Sequence, residues 1–420
     1  NISFSLASTA ASANQVFYRD AGSKTAYQTF TSSTLSTVGS SVVGHAISSK
    51  IVIDTSQPYW HVGTSFEDAG GDGWQTVVHE IGHMLGLGHG GSYNGNVNAS
   101  TQQFSAYDTR LWTLMSYIDP NVTTAKYYGS YPVTGTAWGV NSQGYGYEPT
   151  TPMILDILAV QRVYGAPTAG PLAAGGVTFG FNSNITGSIK SFFDFSVNQH
   201  PVVTLWSGGT NNMLDLSGFS AKSTVNLNPG TFSSVNGMVN NIAIATDTTI
   251  ETLIGGLGDD AFIGSEANNT FRGNGGNDTI DGRGGIDTAV FSGLRAQYTL
   301  TALSGGGVRV SGPEGTDTLT SIERLQFSDQ TVTWPPAGTT TDDFANGLTD
   351  TMRPFGVVAV GGTATGTLET AGDRDWFSVQ LTAGTSYTVG LAGSSSGAGT
   401  LSDPYLRVRN ASGTLIAENN

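Results

Sequence analysis

His79-Glu80-Ile81-Gly82-His83-Met84-Leu85-Gly86-Leu87-Gly88-His89 is the stretch on which the reading of this chain turns. On a helix, residues four apart lie one turn apart on one face. His79 and His83 can therefore aim their imidazoles at one point. Val77, Ile81, Met84 and Leu85 fall roughly on the opposite face and can anchor the helix in a core. Gly86 can take the left-handed geometry that ends a helix, and the chain then brings His89 back as a third nitrogen. The chain holds 6 histidines, and three of them fall here, which favours convergence over scatter. Three imidazoles with one open position make a catalytic zinc site rather than a closed structural one, so one Zn²⁺ is expected. Glu80, beside the first ligand, is expected to act as general base toward a water that the metal activates and then to pass the proton to a leaving amine.

A second pattern lies downstream. Gly255-Gly256-Leu257-Gly258-Asp259-Asp260-Ala261-Phe262-Ile263 fits the calcium nonapeptide G-G-x-G-x-D-x-U-x, and three more units follow at a nine-residue step. Position six reads Asp260, Asn269, Asp278, Asp287, and position eight reads Phe262, Phe271, Ile280, Ala289. One step back lie Glu251 and Leu253, in register. The glycines make a tight turn with inward carbonyls, here Gly256, Gly258, Gly273, Gly275, Gly282 and Gly284. The aspartate adds charge, and a short strand buries position eight. Stacked turns would bind several structural Ca²⁺ ions between half-sites. Units on one side alternate, so Asp260 should pair with Asp278, and Asn269 with Glu251 or Asp287. The neutral amide of Asn269 should weaken its column.

Composition agrees with both. With 32 acidic against 17 basic residues and a net charge of −15, the surface repels nucleic acid and anionic membranes and suits hard cations. Neither nucleic acid nor membrane is expected as a partner. The absence of cysteine rules out disulfides and thiolate sites. No apolar run reaches the roughly 18 residues of a membrane helix. No signal peptide opens the chain, so either a leader has been removed or export uses another signal. The 58 glycines, without a three-residue period, indicate a turn-rich β protein.

The zinc stretch resembles the metzincin signature, in which a Met-containing turn follows. Leu114-Met115-Ser116-Tyr117 matches that turn. The resemblance implies that Met115 is an apolar floor beneath the metal and that Tyr117 both ligates zinc and swings to support the oxyanion. The segments Tyr107–Tyr117 and Leu155–Gly165 are similar to the serralysin subfamily, and the likeness runs from about 40 to 290. It implies a secreted, extracellular, bacterial endopeptidase acting on proteins and peptides, expected as a monomer, with room for a proteinaceous inhibitor. It also implies that the carbonyl of Thr249 is a calcium ligand. A further family half-site is similar to Trp206–Asp215, but Ser207 and Asn212 stand where acids are expected, which argues against a cation there. A calcium-dependent adhesin with a vestigial zinc helix, or an astacin-like peptidase, are the alternatives. The intact Glu80 and three histidines argue against the first, and the nonapeptides and missing cysteines against the second.

The expected architecture is an α+β zincin domain at 1–165, with a mixed sheet and an active-site helix. Helices are expected at about 73–86 and 151–164, and strands include Ile2–Leu6 and Lys50–Asp54. An all-β parallel β-roll should follow at 174–334. Residues 342–420 resemble a pre-peptidase C-terminal module, a small jelly-roll-like β-sandwich, in which Asp373, Asp375 and Asp403 are expected as solvated turn carboxylates rather than calcium ligands. Against the families they resemble, residues 1–165 and 342–420 look truncated at the N- and C-terminal ends respectively.

Overall fold

The computed structural model describes residues 7–9, 12–20, 26–38, 41–54, 56, 68–130, 135–303, 306–335, 344, 354–366, 375–391, 406–411 and 414–419. The expected strand Ile2–Leu6 and the carboxylates of Asp373 and Asp403 lie outside these residues. The chain divides into two compact units, Asn1–Ala302 with Gly307–Pro336, and Ala337–Asn420 with Leu303–Gly306. The first is mostly β with few helices.

It opens on a mixed sheet of β1 (Gln15–Asp20), β2 (Tyr27–Val38) and β3 (Ser41–Asp54), in the order β1-β3-β2. β1 runs parallel to β3 and β2 antiparallel to it. At 12 and 14 residues, β2 and β3 outrun the short strands legible in sequence. Their Ser- and Thr-rich surfaces hide the period, while β-branched residues favour extension.

Helix α1 (Asp72–Met84) packs against this sheet. Met84, with Val77, Ile81 and Leu85, lies on Ile51 and Ile53 of β3. Asp72 in the first turn complements the helix dipole. The reversal after the helix falls at Gly86, whose φ of 90° belongs to the left-handed region. A short helix α2 (Ala99–Gln102) and helix α3 (Ile154–Tyr164) follow. α3 begins two residues after Pro152, because the Asp156 carboxylate accepts the Met153 N–H at 2.9 Å and caps the helix there.

Beyond it the chain winds into a roll of two parallel sheets. In one, Thr252 pairs with Thr270 and Thr270 with Thr288; in the other, Ala261 pairs with Thr279. Same-sheet partners are thus 18 residues apart, twice the sequence period. Leu253, Phe271, Phe262 and Ile280 are buried between the sheets, each worth about 1.5–3 kcal/mol by removal from water. An antiparallel hairpin of Thr299–Ala302, Val308–Gly312 and Gly315–Thr320 interrupts the coil, which then resumes with Thr279 paired to Thr318 and Thr288 to Arg324.

The roll and the helical part share a core of Leu111, Trp112, Ile154, Val202, Met238 and Ala243. Trp112 meets Phe232 edge-on at 4.7 Å. The Thr150 N–H donates to the Val202 carbonyl, and the Thr204 N–H to Thr151 Oγ1. In the second unit, Gly356–Val357 pairs in parallel with Phe377–Ser378, and Leu406–Arg409 antiparallel with Leu415–Asn419.

Glu148 sits near the start of α1, its N–H donating to the Gly70 carbonyl. Burial pushes its carboxyl up to about 7, opposed by Arg110 and aided by Asp119 and Asp72. The folded chain therefore holds this proton more tightly than the unfolded chain. Its contribution to stability is fully present below the ordinary glutamate range and is lost as pH rises toward 7. With calcium and zinc saturating, Glu148→Gln should lose less melting temperature between pH 5 and pH 8 than the parent, measured by calorimetry. Parallel curves would remove Glu148 from the pH response.

Candidate metal centre

α1 presents His79 and His83, and the turn at Gly86 returns His89. One donor atom from each of the three lies within 4.8 Å of the others. Each ring is oriented from behind. His79 Nδ1 donates to the Leu114 carbonyl at 2.7 Å, His83 Nδ1 to Leu87 at 2.9 Å and His89 Nδ1 to Tyr93 at 2.8 Å. A carbonyl only accepts, so all three Nδ1 atoms carry the hydrogen and all three Nε2 atoms keep a lone pair.

The residues fit a small cation of zinc's type. His79 Nε2 is buried without a hydrogen-bond partner. His83 Nε2 and His89 Nε2 face each other across 3.0 Å, lone pair toward lone pair. Two nitrogens bound to one tetrahedral zinc stand about 3.3 Å apart. Burial lowers His79 to about 4 and lowers His83 as well, with mutual repulsion adding to it. His79 and His83 are therefore neutral at ordinary pH, as ligation requires.

Glu80 is buried beside them. The Gln28 N–H of β2 bonds its carboxylate, while Oε2 has no partner. One oxygen is anchored and the other is free to take a proton. Burial raises this carboxyl to about 7. Met115 lies beneath the helix, where a Cβ on Gly82 would come within 2.5 Å of its sulfur. The Tyr117 ring packs at 4.6 Å from the His89 ring and 5.5 Å from that of His79. Its hydroxyl is bonded by the Gly95 backbone.

Three supporting residues are marked by no motif in the sequence. Tyr93 supplies the carbonyl for His89, and its hydroxyl donates to Asp108 Oδ1 at 2.5 Å and meets the Tyr117 N–H at 3.4 Å. Asp108 also accepts the Phe104 N–H. A Cβ on Gly90 or Gly91 would strike this Tyr93–Asp108 pair, so glycine is required there. Asp156, fully enclosed, accepts from Thr113 Oγ1 at 2.5 Å and from the Leu114 N–H at 2.8 Å, which fixes the carbonyl that orients His79. Local sequence carries no signal for contacts 42 or 43 residues apart.

The nonapeptide acids form two columns. In one, the Ser223 N–H donates to Asp260 Oδ1, the Asp260 N–H to Asp278 and the Asp278 N–H to Asp317. In the other, the Asn212 N–H donates to Glu251, the Asn269 N–H to Asp287 and the Asp287 N–H to Glu323. Asp260 and Asp278 are stacked neighbours, and Asn269 stands between Glu251 and Asp287. Asp278 Oδ2 and Asp287 Oδ2 are buried without partners. A Cβ on Gly255 would meet the Gly273 carbonyl and Asp260 Oδ2 beside the edge of the Phe262 ring, and one on Gly264 would fill a cradle between the Gly282 carbonyl and Asn269 Oδ1. Such oxygen-lined cradles suit calcium. Burial and like charge raise Asp278 to about 7 and Asp287 to about 8.

The remaining glycines crowd the same turns. The Gly256 carbonyl accepts from the Gly275 N–H, the Gly258 carbonyl abuts Gly276, and Gly284 abuts Glu266. The Thr249 carbonyl accepts from Asn212 Nδ2, and Asn269 Nδ2 donates to the Ile250 carbonyl. At these places an amide hydrogen stands where a cation would otherwise be needed. Asp317 and Glu323 stand outside the nine-residue step because the hairpin breaks it. Asp317-Thr318-Leu319 repeats Asp278-Thr279-Ile280 and was the available signal.

The fold and site thus define a mostly β chain with a three-histidine centre and an oxygen-lined parallel roll. Residues 172–291 match the family model described as Peptidase M10 serralysin C terminal. The chain is similar to metallopeptidase AprA of Pseudomonas marginalis, 41% identical over 194 residues, covering 46% of this chain and 37% of the relative. It is similar to serralysin of Proteus mirabilis, 36% identical over 204 residues (48% and 37%), and to serralysin C of Dickeya chrysanthemi, 37% identical over 193 residues (46% and 36%). These matches support a serralysin-type metzincin. The matched part of the chain spans little more than a third of the length of these relatives. No helix among the described residues is long and apolar enough to cross a membrane.

Because Asp156 acts through Leu114 on His79, Asp156→Asn should weaken zinc binding about 10- to 100-fold while circular dichroism stays native-like. Competition with a chromophoric chelator measures this. Unchanged affinity would show that the Leu114 carbonyl is held without Asp156.

Proposed function

We propose that the chain is a zinc-dependent endopeptidase that hydrolyses peptide bonds of extracellular proteins, with a zincin-type catalytic region at 1–165 and a calcium-stabilised roll at 174–334. The observation that carries this reading is the set of three Nδ1–carbonyl hydrogen bonds that leave three Nε2 lone pairs converging beside a buried carboxylate. His79, His83 and His89 would hold the ion, with Tyr117 as a further ligand. When bound, zinc supplies Lewis acidity that makes water a better nucleophile at neutral pH and polarises a carbonyl.

The chain's own residues do the rest. Glu80 receives the proton of the attacking water on its free Oε2, while the Gln28 N–H holds the other oxygen and so fixes the carboxylate plane. The same oxygen then returns the proton to the departing amine. The Tyr117 hydroxyl, seated against His79 and His89, donates to the oxygen that gains charge as the carbonyl becomes tetrahedral. An open depression of about 420 Å³, lined by Val97, Asn98, Ala99, Tyr117, Val122 and Thr124 among others, adjoins Tyr117 and gives a peptide a path of approach.

In the roll, Glu251, Asp260, Asn269 (through Oδ1), Asp278 and Asp287, with the turn carbonyls, are the proposed calcium ligands; the Thr249 carbonyl, which accepts from Asn212 Nδ2, is not among them. Calcium binding would then contribute folding free energy, which suits a chain that is exported unfolded and folds where calcium is plentiful. Residues 342–420 are proposed as an accessory module.

Glu80→Gln should keep its zinc and lose nearly all casein hydrolysis, because Gln can neither take nor return a proton. A variant of parental turnover would remove Glu80 from the reaction. Tyr117→Phe should cost less, mainly in kcat, by about 10- to 100-fold if it contributes one hydrogen bond at the transition state. An unchanged kcat leaves Tyr117 as packing.

A further inference from the structure

We infer that the column of Asn269 and Asp287 ends in an additional calcium site, outside the nonapeptides, built by Asp287, the Ser321 carbonyl and Glu323. This deepens the calcium reading of the repeats and rests on it. After the hairpin, Leu319-Thr320-Ser321-Ile322-Glu323-Arg324-Leu325 retraces the turn Ile280–Ala289, contact by contact. The Gly264 N–H donates to the Asp281 carbonyl, and the Gly282 N–H donates to the Thr320 carbonyl. The Asn269 N–H donates to Asp287 Oδ1 at 2.6 Å, and the Asp287 N–H donates to Glu323 Oε2 at 2.6 Å. Phe271 pairs with Ala289, and Ala289 with Leu325. A Cβ on Gly264 would strike the Gly282 carbonyl, and one on Gly282 would strike both the Ser321 carbonyl and Asp287 Oδ2. Ser321 therefore occupies the position of Gly282, and Glu323 that of Asp287.

The new turn is shorter. Five positions separate Gly282 from Asp287, and two separate Ser321 from Glu323. Ser321 meets this by entering the left-handed region at φ 50°. Glutamate replaces aspartate, its extra methylene reaching the Asp287 N–H across the shorter span. The same solution appears at the other end of the column, where Thr249-Ile250-Glu251-Thr252-Leu253 matches Ser321-Ile322-Glu323-Arg324-Leu325, and Glu251 accepts the Asn212 N–H as Glu323 accepts that of Asp287.

The two ends differ in what faces the carbonyl. At the first end, Asn212 Nδ2 donates to the Thr249 carbonyl and Asn269 Nδ2 to the Ile250 carbonyl. Amide hydrogens satisfy the oxygens there. At the second end, Asp287 Oδ2 is fully buried, has no hydrogen-bond partner and shares its cradle with the Ser321 carbonyl. Only acceptors meet at that point, which calls for a hard cation with oxygen ligands.

Calcium bound per full-length chain, counted by equilibrium dialysis with calcium alone, tests this. Glu323→Gln still offers an oxygen to the Asp287 N–H, so the fold should persist while one calcium equivalent is lost or weakened about tenfold or more, since the site loses ligand charge. Asp287→Asn provides a second route. Its amide can donate to the Ser321 carbonyl as Asn269 does to Ile250, so the chain should stay folded and lose at least the equivalent that Glu323→Gln loses. If both variants keep the parental number and affinity, the terminal site is overturned and Asp287 drops out of the calcium ligands, while the Asp260–Asp278 column of the nonapeptide reading survives. If the parent binds no calcium, both fall.

Discussion

Three backbone carbonyls, those of Leu114, Leu87 and Tyr93, decide what the histidines can do. By accepting from Nδ1 they fix the tautomer, turn each ring and leave the Nε2 lone pairs pointing inward. An imidazole whose other nitrogen is so bonded is also a better ligand. None of the three carbonyls belongs to α1. Each comes from a loop that something else must hold: the Gly86 turn, the Tyr93–Asp108 pair, and the strap around Asp156. The chemistry of the site is thus a consequence of loop positions more than of the helix that carries two of its ligands.

Those loops lead to the roll. The strap bearing Leu114 follows directly on Trp112, whose ring lies against Phe232 and whose carbonyl accepts the Leu155 N–H. Val202, Met238 and Ala243 complete that core. The roll in turn carries stacked, buried carboxylates whose mutual repulsion and desolvation a bound cation would relieve. Packed side chains connect the roll to the loop that orients His79, so if calcium binds the turns as proposed, its removal should loosen the support of the three-histidine centre as well.

Much of this was legible because it is local. The four-residue spacing of His79 and His83, the stop at Gly86 and the nine-residue step of the acids are short-range patterns that backbone geometry imposes. The stacking order of Asp260 on Asp278 follows from the period alone, since a coil with two faces brings every second unit together. What escaped is non-local. Asp156 acts on partners 42 and 43 residues away, and Tyr93 is held by Asp108 across 15 residues of irregular loop, so no periodic spacing announces them. Asp317 and Glu323 lie beyond a hairpin that destroys the period, although the residues around each repeat the earlier units. The lengths of β2 and β3 were hidden by serine and threonine, which blur the alternation that marks a strand.

X-ray absorption of the zinc-loaded chain tests the central claim most directly. The account requires a first shell of nitrogen and oxygen only, with the outer-shell scattering of three imidazoles and at least one ligand that exchanges with solvent. A shell with fewer imidazoles, or one closed entirely by protein, would contradict it.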